Sequence, residues 1–243
     1  MGVQNTILGA QAGDLLDEAD RNVAIGYQAL TADHKGDRTV AIGAFALSGQ
    51  DFTSVTSTNN VAVGYEAGGG LTTGASNTII GANSGVYIST ADNSTFMGFK
   101  AGQGIDGARL TGDNNVAIGK SAGLLLQGAA ANNTLVGTES GVAVTTGVQN
   151  TFVGALAGDA TDDGTNNVAV GFEALSANCG SGNTALGTRS GQALTGDNNT
   201  LVGNQAGILL TSGDDNIAIG HNALANEQTG TNATAVGVGA LGT

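Results

Sequence analysis

The chain has 243 residues and a formal net charge of −13, from 7 basic and 20 acidic side chains. It contains 42 glycines, no proline and one cysteine, and 40% of its residues are hydrophobic. Because phosphate binding requires clustered Lys and Arg, this charge argues against nucleic acids and anionic membranes as partners. The glycine content disfavours long helices, and the apolar fraction excludes a disordered linker. No apolar run approaches the roughly 20 residues of a membrane span, so membrane insertion is not expected.

A short motif centred on one glycine, which we call the anchor, repeats along the whole chain. Its pattern is Asn-(Thr/Val)-x-(Ile/Val/Leu)-Gly-x-x-(Ala/Ser)-(Gly/Leu), as in residues 22–30. Eight of the thirteen intervals between anchors are 17 residues, two are 16, one is 18 and two are 21. The fourteen anchors are Gly9, Gly26, Gly43, Gly64, Gly81, Gly98, Gly119, Gly137, Gly154, Gly171, Gly187, Gly203, Gly220 and Gly237. A period near 17 predicts an all-β fold, a parallel β-solenoid of fourteen coils in a single repeat domain over residues 1–243.

Positions within a coil are numbered here from the anchor. The apolar triplet at −3 to −1 predicts a short strand, and the anchor glycine permits the bend that follows it. A second strand or an arch comes next, and a polar turn such as Thr111 to Asn114 closes the coil. Position −4 is Asn in eleven coils, the exceptions being Thr39, Ser94 and Ala233. Asn side chains stacked at this position are expected to form a hydrogen-bonded ladder.

Two positions exchange volume in a way that predicts a shared interior. Position +4 is Leu in five coils, and all five have Ala at −2. The six coils with a large residue at −2 all have Gly at +4. Two large groups never coincide, as a closely packed core requires. Most Gly coils supply an aliphatic residue at +7 instead, for example Leu71, Ile88 and Ile105.

The strand triplet is apolar or nearly so at all three positions, which predicts that both of its faces are apolar. One face fills the coil, and the other requires a cover. We expect a second copy of the chain to provide it, so the protein is predicted to be a homo-oligomer. Repeats reach both ends of the sequence without a polar cap, which predicts a stretch of a longer fibre or a unit that stacks end to end.

The residues at 22–29, 115–122 and 216–223 resemble the head repeat of YadA-type trimeric autotransporter adhesins. The form Asn-Asn-Thr-x-Val-Gly-x-x-(Ala/Ser)-Gly at 132–141 and 198–207 is similar to repeats in phage tail fibres. The resemblance covers essentially the whole chain. It implies a left-handed β-roll wound as a homotrimer and a role in surface attachment. The coils are longer than the adhesin-head repeat, which shifts the expectation toward a phage or virion fibre.

The two 21-residue intervals predict surface loops at 48–59 and 102–114. Because departures from a repeat mark segments free to bind, their distinctive side chains are candidate receptor contacts. These candidates are Phe52 in the first loop and Asp106 and Arg109 in the second. The alternative is a tolerated insertion in which Phe52 folds back on its coil.

No cofactor, metal site or catalytic residue is predicted, because each matching pattern has a simpler explanation. Residues 237–242 match a dinucleotide-binding pattern, but they are simply the last repeat. The acidic residues are interpreted as solvated turns that do not repeat in register, so calcium is not expected. A polysaccharide-cleaving tailspike would need a carboxylate pair, whereas Glu66, Glu139 and Glu173 are never in adjacent coils. Ice binding by Thr at −3 is disfavoured because Val alternates with Thr there.

These observations predict a structural or adhesive fibre segment, outside the cell on a virion or bacterial surface, that is not an enzyme. A phage or virion tail-fibre shaft for host attachment is the first hypothesis. The head of a bacterial trimeric adhesin is the alternative.

Overall fold

The computed structural model describes residues 2–242 and is a parallel β-solenoid of fourteen coils, with no helix in that range. The coils are divided equally between two compact units. The first unit holds the residues up to 121 together with 125–131, and the second holds 122–124 together with 132 onward. The predicted all-β class, the solenoid and the coil number are therefore confirmed.

Each coil contributes one three-residue strand at positions −3 to −1, as predicted. The first unit contains β1 (Thr6–Leu8), β2 (Val23–Ile25), β3 (Gly36–Asp37), β4 (Val40–Ile42), β5 (Thr56–Ser57), β6 (Val61–Val63), β7 (Thr78–Ile80), β8 (Thr95–Met97) and β9 (Val116–Ile118). The second contains β10 (Thr134–Val136), β11 (Thr151–Val153), β12 (Val168–Val170), β13 (Thr184–Leu186), β14 (Thr200–Val202), β15 (Ile217–Ile219) and β16 (Thr234–Val236). Within each unit, strands of successive coils pair in parallel, with position −2 opposite position −2, whereas β3 and β5 form a separate two-stranded sheet.

The anchor must be glycine for two independent reasons. Gly98 has φ +136°, a conformation that L side chains rarely adopt. A Cβ at Gly98 would also lie 2.5 Å from the carbonyl oxygen of Gly119, the anchor of the next coil. The coils therefore stack closely at the anchors, and any side chain there would force them apart.

Replacing Gly98 with Ala is expected to lower the free energy of unfolding by about 3 kcal/mol, since backbone strain and a collision between coils add. Gly128→Ala is the matched control, because Gly128 has φ +53° and open space where its Cβ would lie. The control should lose only about 1 kcal/mol, the cost of a left-handed backbone conformation. Urea denaturation monitored by circular dichroism measures both, and equal losses would show that the close approach between coils is unimportant.

In most coils the segment after the anchor is a hydrogen-bonded arch, whereas two coils add a short second strand, β3 or β5. The arch depends on left-handed backbone conformations, which 18 non-glycine residues among residues 2–242 adopt at positions +2 and +4. Glu66, at position +2, is one of them, with φ 55°. Its N–H donates to the carbonyl of Ala44 in the preceding coil over 2.9 Å. Bonds of this kind between coils hold the unfavourable conformations in place.

The predicted exchange of volume in the core is confirmed. Leu47, at +4, is fully buried although its φ is 48°. A Cβ on Gly68, the +4 residue of the next coil, would lie 2.8 Å from Leu47 Cδ2 and 2.9 Å from Ile79 Cδ1. Burying a leucine side chain is worth about 1.5–3 kcal/mol, which offsets the roughly 1–2 kcal/mol of its left-handed conformation.

One predicted core residue was wrong. Ile105 was expected to fill position +7 of its coil, but it is only half-buried. Leu110 takes this place: it is fully buried and forms parallel bridges with Ile88 on one side and Gly128 on the other. The extra residues of the long coil precede Leu110, so the core position is shifted along the chain.

The asparagine ladder is present, but it links side chains mainly to the backbone. Asn150 Oδ1 accepts a hydrogen bond from the N–H of Asn167 over 3.0 Å, and Asn150 Nδ2 donates to the carbonyl of Gly164 over 2.8 Å. Asn150 and Asn167 are fully buried. A ladder amide such as that of Asn150 therefore bonds the backbone of the next Asn and the turn that precedes the next strand.

Asn150→Ala is expected to lower the free energy of unfolding by about 3 kcal/mol, because it leaves a buried N–H and a buried C=O without partners. Asn150→Ser should lose about half of that. Serine occurs naturally at this position, where Ser94 Oγ accepts from the N–H of Asn115. Chemical denaturation compares the two variants, and a neutral Asn150→Ala would contradict the proposed role of the ladder.

Candidate functional site

The first long coil folds inward around a buried polar cluster. Asp33 is fully buried, and its Oδ1 accepts from the backbone N–H groups of Gly36 and Phe52, each over 3.1 Å. Its Oδ2 accepts from Gln50 Nε2 over 2.7 Å. Gln50 also donates to Thr39 Oγ1, in the coil where Thr replaces the ladder Asn. The insertion therefore replaces part of the regular ladder with side-chain bonds of its own.

Phe52, a predicted receptor contact, lies inside this folded insertion. It is only 8% exposed, so its ring does not form part of the protein surface. The alternative, in which the residue folds back on its coil, describes what the structure shows. A phenylalanine in a polar stretch was the sequence signal for burial. The sequence alone did not reveal that the buried carboxylate of Asp33 accepts a hydrogen bond from the Phe52 backbone.

Asp106 and Arg109 lie on the exposed second insertion, as predicted. The Arg109 side chain reaches back to the coil of Gly70, 39 residues earlier, where its Nη1 donates to the Gly70 carbonyl over 3.0 Å. The structure does not bring Asp106, Arg109 and Phe52 together as one surface, because Phe52 is buried.

Arg109 lines an open pocket of about 280 Å³ that spans several arches of the first unit. We call it the aromatic pocket. Its lining residues are Phe45, Ser48, Glu66, Gly69, Gly70, Val86, Tyr87 and Arg109. Ser48 and Arg109 come from the two long coils, so both insertions contribute to it.

The expectation that acidic residues are out of register was wrong. Six aspartates occupy position −6, namely Asp20, Asp37, Asp92, Asp113, Asp197 and Asp214. Asp92 N donates to Asp113 Oδ1 over 2.8 Å, and Asp92 Oδ1 accepts from the N–H of Ala75 in the preceding coil over 2.7 Å. These carboxylates cap the turns of neighbouring coils, which gives them a structural role.

Two of the glutamates considered for catalysis accept hydrogen bonds from neighbouring side chains. Glu173 Oε2 accepts from Arg189 Nε and from Gln192 Nε2, each over 2.8 Å. Glu66 accepts a hydrogen bond from Tyr65, which raises the pKa of the Tyr65 hydroxyl. Sequence reasoning missed the cluster of Glu173, Arg189 and Gln192, although the spacing of 16 residues between Glu173 and Arg189 places them in neighbouring coils.

Asp159 is a partly buried carboxyl in the second unit. Partial burial raises its pKa, and the negative charges of Glu173 and Glu139 add to the effect. Its Oδ1 is shielded from solvent and has no hydrogen-bond partner. Ionised Asp159 is therefore a cost to the fold.

Cys179 is a buried free thiol, and its Sγ lies 3.2 Å from Thr161 Oγ1. Burial raises the pKa of this thiol. Within residues 2–242, no group of three or more His, Cys, Asp or Glu side chains is placed to hold a metal ion. The same residues include no helix long and apolar enough to cross a membrane.

No protein-family model matches this chain, and no curated protein shows significant similarity to it. Its function must therefore be argued from its own repeat and surface.

Asp159→Asn is expected to raise the melting temperature at pH 7. Because the folded-state pKa of Asp159 is raised, its stabilising contribution is complete only below the unfolded pKa, near 3.8, and is lost as the pH rises through the folded value. The gain from the amide should therefore be largest at neutral pH and disappear below pH 3.8. Thermal unfolding at pH 7 and below pH 3.8 measures the difference in melting temperature.

Asp163→Asn removes the same charge from an exposed turn and serves as the control. It should leave the melting temperature nearly unchanged at either pH. An equal gain from both substitutions would show that overall charge, and not burial of Asp159, is responsible.

Proposed function

We propose that this chain is a structural and adhesive fibre segment in which several copies associate through the outward face of the coil strands. One observation carries the proposal. Positions −3 and −1 form an uncharged file, with Thr, Val or Ile at −3 and an aliphatic residue or Met at −1, and a single chain leaves it partly open.

The burial pattern of the strands defines this file. In most coils position −2 is fully buried, whereas −3 and −1 are half-buried or exposed. In the second unit Val153 is 36% exposed, Val170 39% and Ile219 41%. The alternation follows from strand geometry, because successive side chains point to opposite faces. Every strand therefore presents two side chains outward.

The chemistry of the file favours another copy of the same chain as its cover. Position −3 is Thr, Val or Ile and position −1 is aliphatic or Met in all fourteen coils, without a single charge. This holds in a chain of net charge −13, so charge is kept away from these positions. A partner that covers the file must present side chains that fit the uncharged residues at −3 and −1, with the same spacing from coil to coil. A second copy of this chain has the same spacing between coils, because its sequence is the same.

The resemblance to trimeric adhesin heads and phage tail fibres supports three copies, a left-handed β-roll and an extracellular location. On this proposal the segment is a tail-fibre shaft on a phage or virion that contributes to host attachment. The head of a bacterial trimeric adhesin is the second candidate, favoured by the Asn-Val-Ala-Ile-Gly form of the repeat at 22–26. Both require an oligomer.

Light scattering under native conditions should give a mass that is a multiple of 23.6 kDa, three times that value for the trimer. Val153→Lys combined with Val170→Lys places two charges on paired positions of the file, so the oligomer should dissociate. Leu209→Lys, on an equally exposed side chain outside the strands, is the control and should leave the mass unchanged. A monomeric mass for the unmodified chain would overturn the proposal.

A further inference from the structure

We propose that the aromatic pocket binds a neutral saccharide, one pyranose ring at a time. This inference rests on the proposed attachment role and names the class of ligand that this surface recognises. The pocket of about 280 Å³ is close to the lower end of the range for small-molecule sites, roughly 300–1,000 Å³, which suits a small ligand.

The first argument is where the chain exposes its aromatic rings. It has only nine aromatic residues, and Phe52, Phe96 and Phe152 are buried. Five of the other six lie at the surface of the first unit, namely Tyr27, Phe45, Tyr65, Tyr87 and Phe99. Phe45 packs edge to face between Tyr27 and Tyr65, with ring centroids 5.3 Å and 6.0 Å away. An aromatic strip therefore leads to the pocket, which Phe45 and Tyr87 line.

The second argument is that Arg109 is brought to this place by an insertion. Its Nη1 is held by the Gly70 carbonyl and not by a carboxylate. A Cβ on Gly70 would collide with the Val86 carbonyl oxygen, 2.4 Å away, and would also lie 3.3 Å from the same Nη1, so Arg109 lies against backbone that must stay free of a side chain. A guanidinium carries five N–H donors, and one backbone carbonyl uses few of them.

The third argument is the balance of charge and hydrogen-bonding groups. Glu66 supplies acceptors, Arg109 supplies donors, and the hydroxyls of Ser48 and Tyr87 can do both. A ligand of either charge meets one like charge in the pocket, and the net charge of −13 further disfavours an anion. A sugar ring is neutral, its hydroxyls both donate and accept, and its C–H face packs on aromatic rings. It therefore matches the pocket better than a charged ligand does.

Saturation-transfer NMR on the full chain tests the proposal with five probes: the methyl pyranosides of glucose, galactose, mannose and N-acetylglucosamine, and glucuronate as an acidic comparison. At least one neutral pyranoside should bind, and more tightly than glucuronate. Arg109→Ala and Tyr87→Ala should each weaken that binding by about tenfold, the effect of losing one hydrogen-bonding or stacking group.

Two substitutions outside the pocket serve as matched controls. Phe99→Ala removes a more exposed ring, and Lys35→Ala removes a cation, and both should leave the affinity unchanged. Binding by none of the neutral pyranosides, tighter binding of glucuronate, or equal binding by the Arg109→Ala and Tyr87→Ala variants would overturn the proposal.

Light scattering on the same samples separates this inference from the proposed function. An oligomer that binds no sugar overturns only the saccharide site. A monomer that binds sugar through Arg109 and Tyr87 overturns only the fibre.

Discussion

The close stacking of coils at the anchor glycines is the constraint on which the rest of the structure depends. Within each unit an anchor approaches the next so closely that a Cβ would collide with backbone atoms. This proximity lets one coil bond to the next at the strand, the arch, the ladder amide and the closing turn. Because each residue position meets its own equivalent one coil away, a residue that suits one coil must also suit its neighbours.

In-register stacking also explains why the chain tolerates an unusual backbone. Left-handed conformations at non-glycine residues are uncommon in proteins, yet they recur at fixed positions here. At Leu47 burial of the side chain offsets the strain, and at Glu66 a hydrogen bond to the preceding coil holds the conformation. Strain in this protein is therefore a property of the repeat and by itself does not mark a functional site.

Function, on our proposals, is divided between the regular and the irregular parts of the coil. The regular strand face repeats without charge and suits a partner of the same period. The two long coils break the period, and each solves the break differently. The first buries Gln50 and Phe52 against Asp33, whereas the second keeps Asp106 and Arg109 exposed and extends Arg109 to the aromatic pocket. Insertions of equal length thus have different consequences, which depend on whether a buried polar partner exists for the added backbone.

The sequence by itself determined the coil number, the strand positions and the ladder. It also determined the exchange of core volume between coils with Leu at +4, such as Leu47, and coils with Gly at +4, such as Gly68. Each of these features recurs at the same position in many coils, so the sequence shows it many times. It did not determine what occurs only once. The burial of Phe52, the replacement of Ile105 by Leu110 and the reach of Arg109 to Gly70 depend on contacts between residues far apart in the chain, without a repeated counterpart. Only the tertiary structure decided these, because a loop's path is set by the particular partners that satisfy its polar groups and fill its local volume.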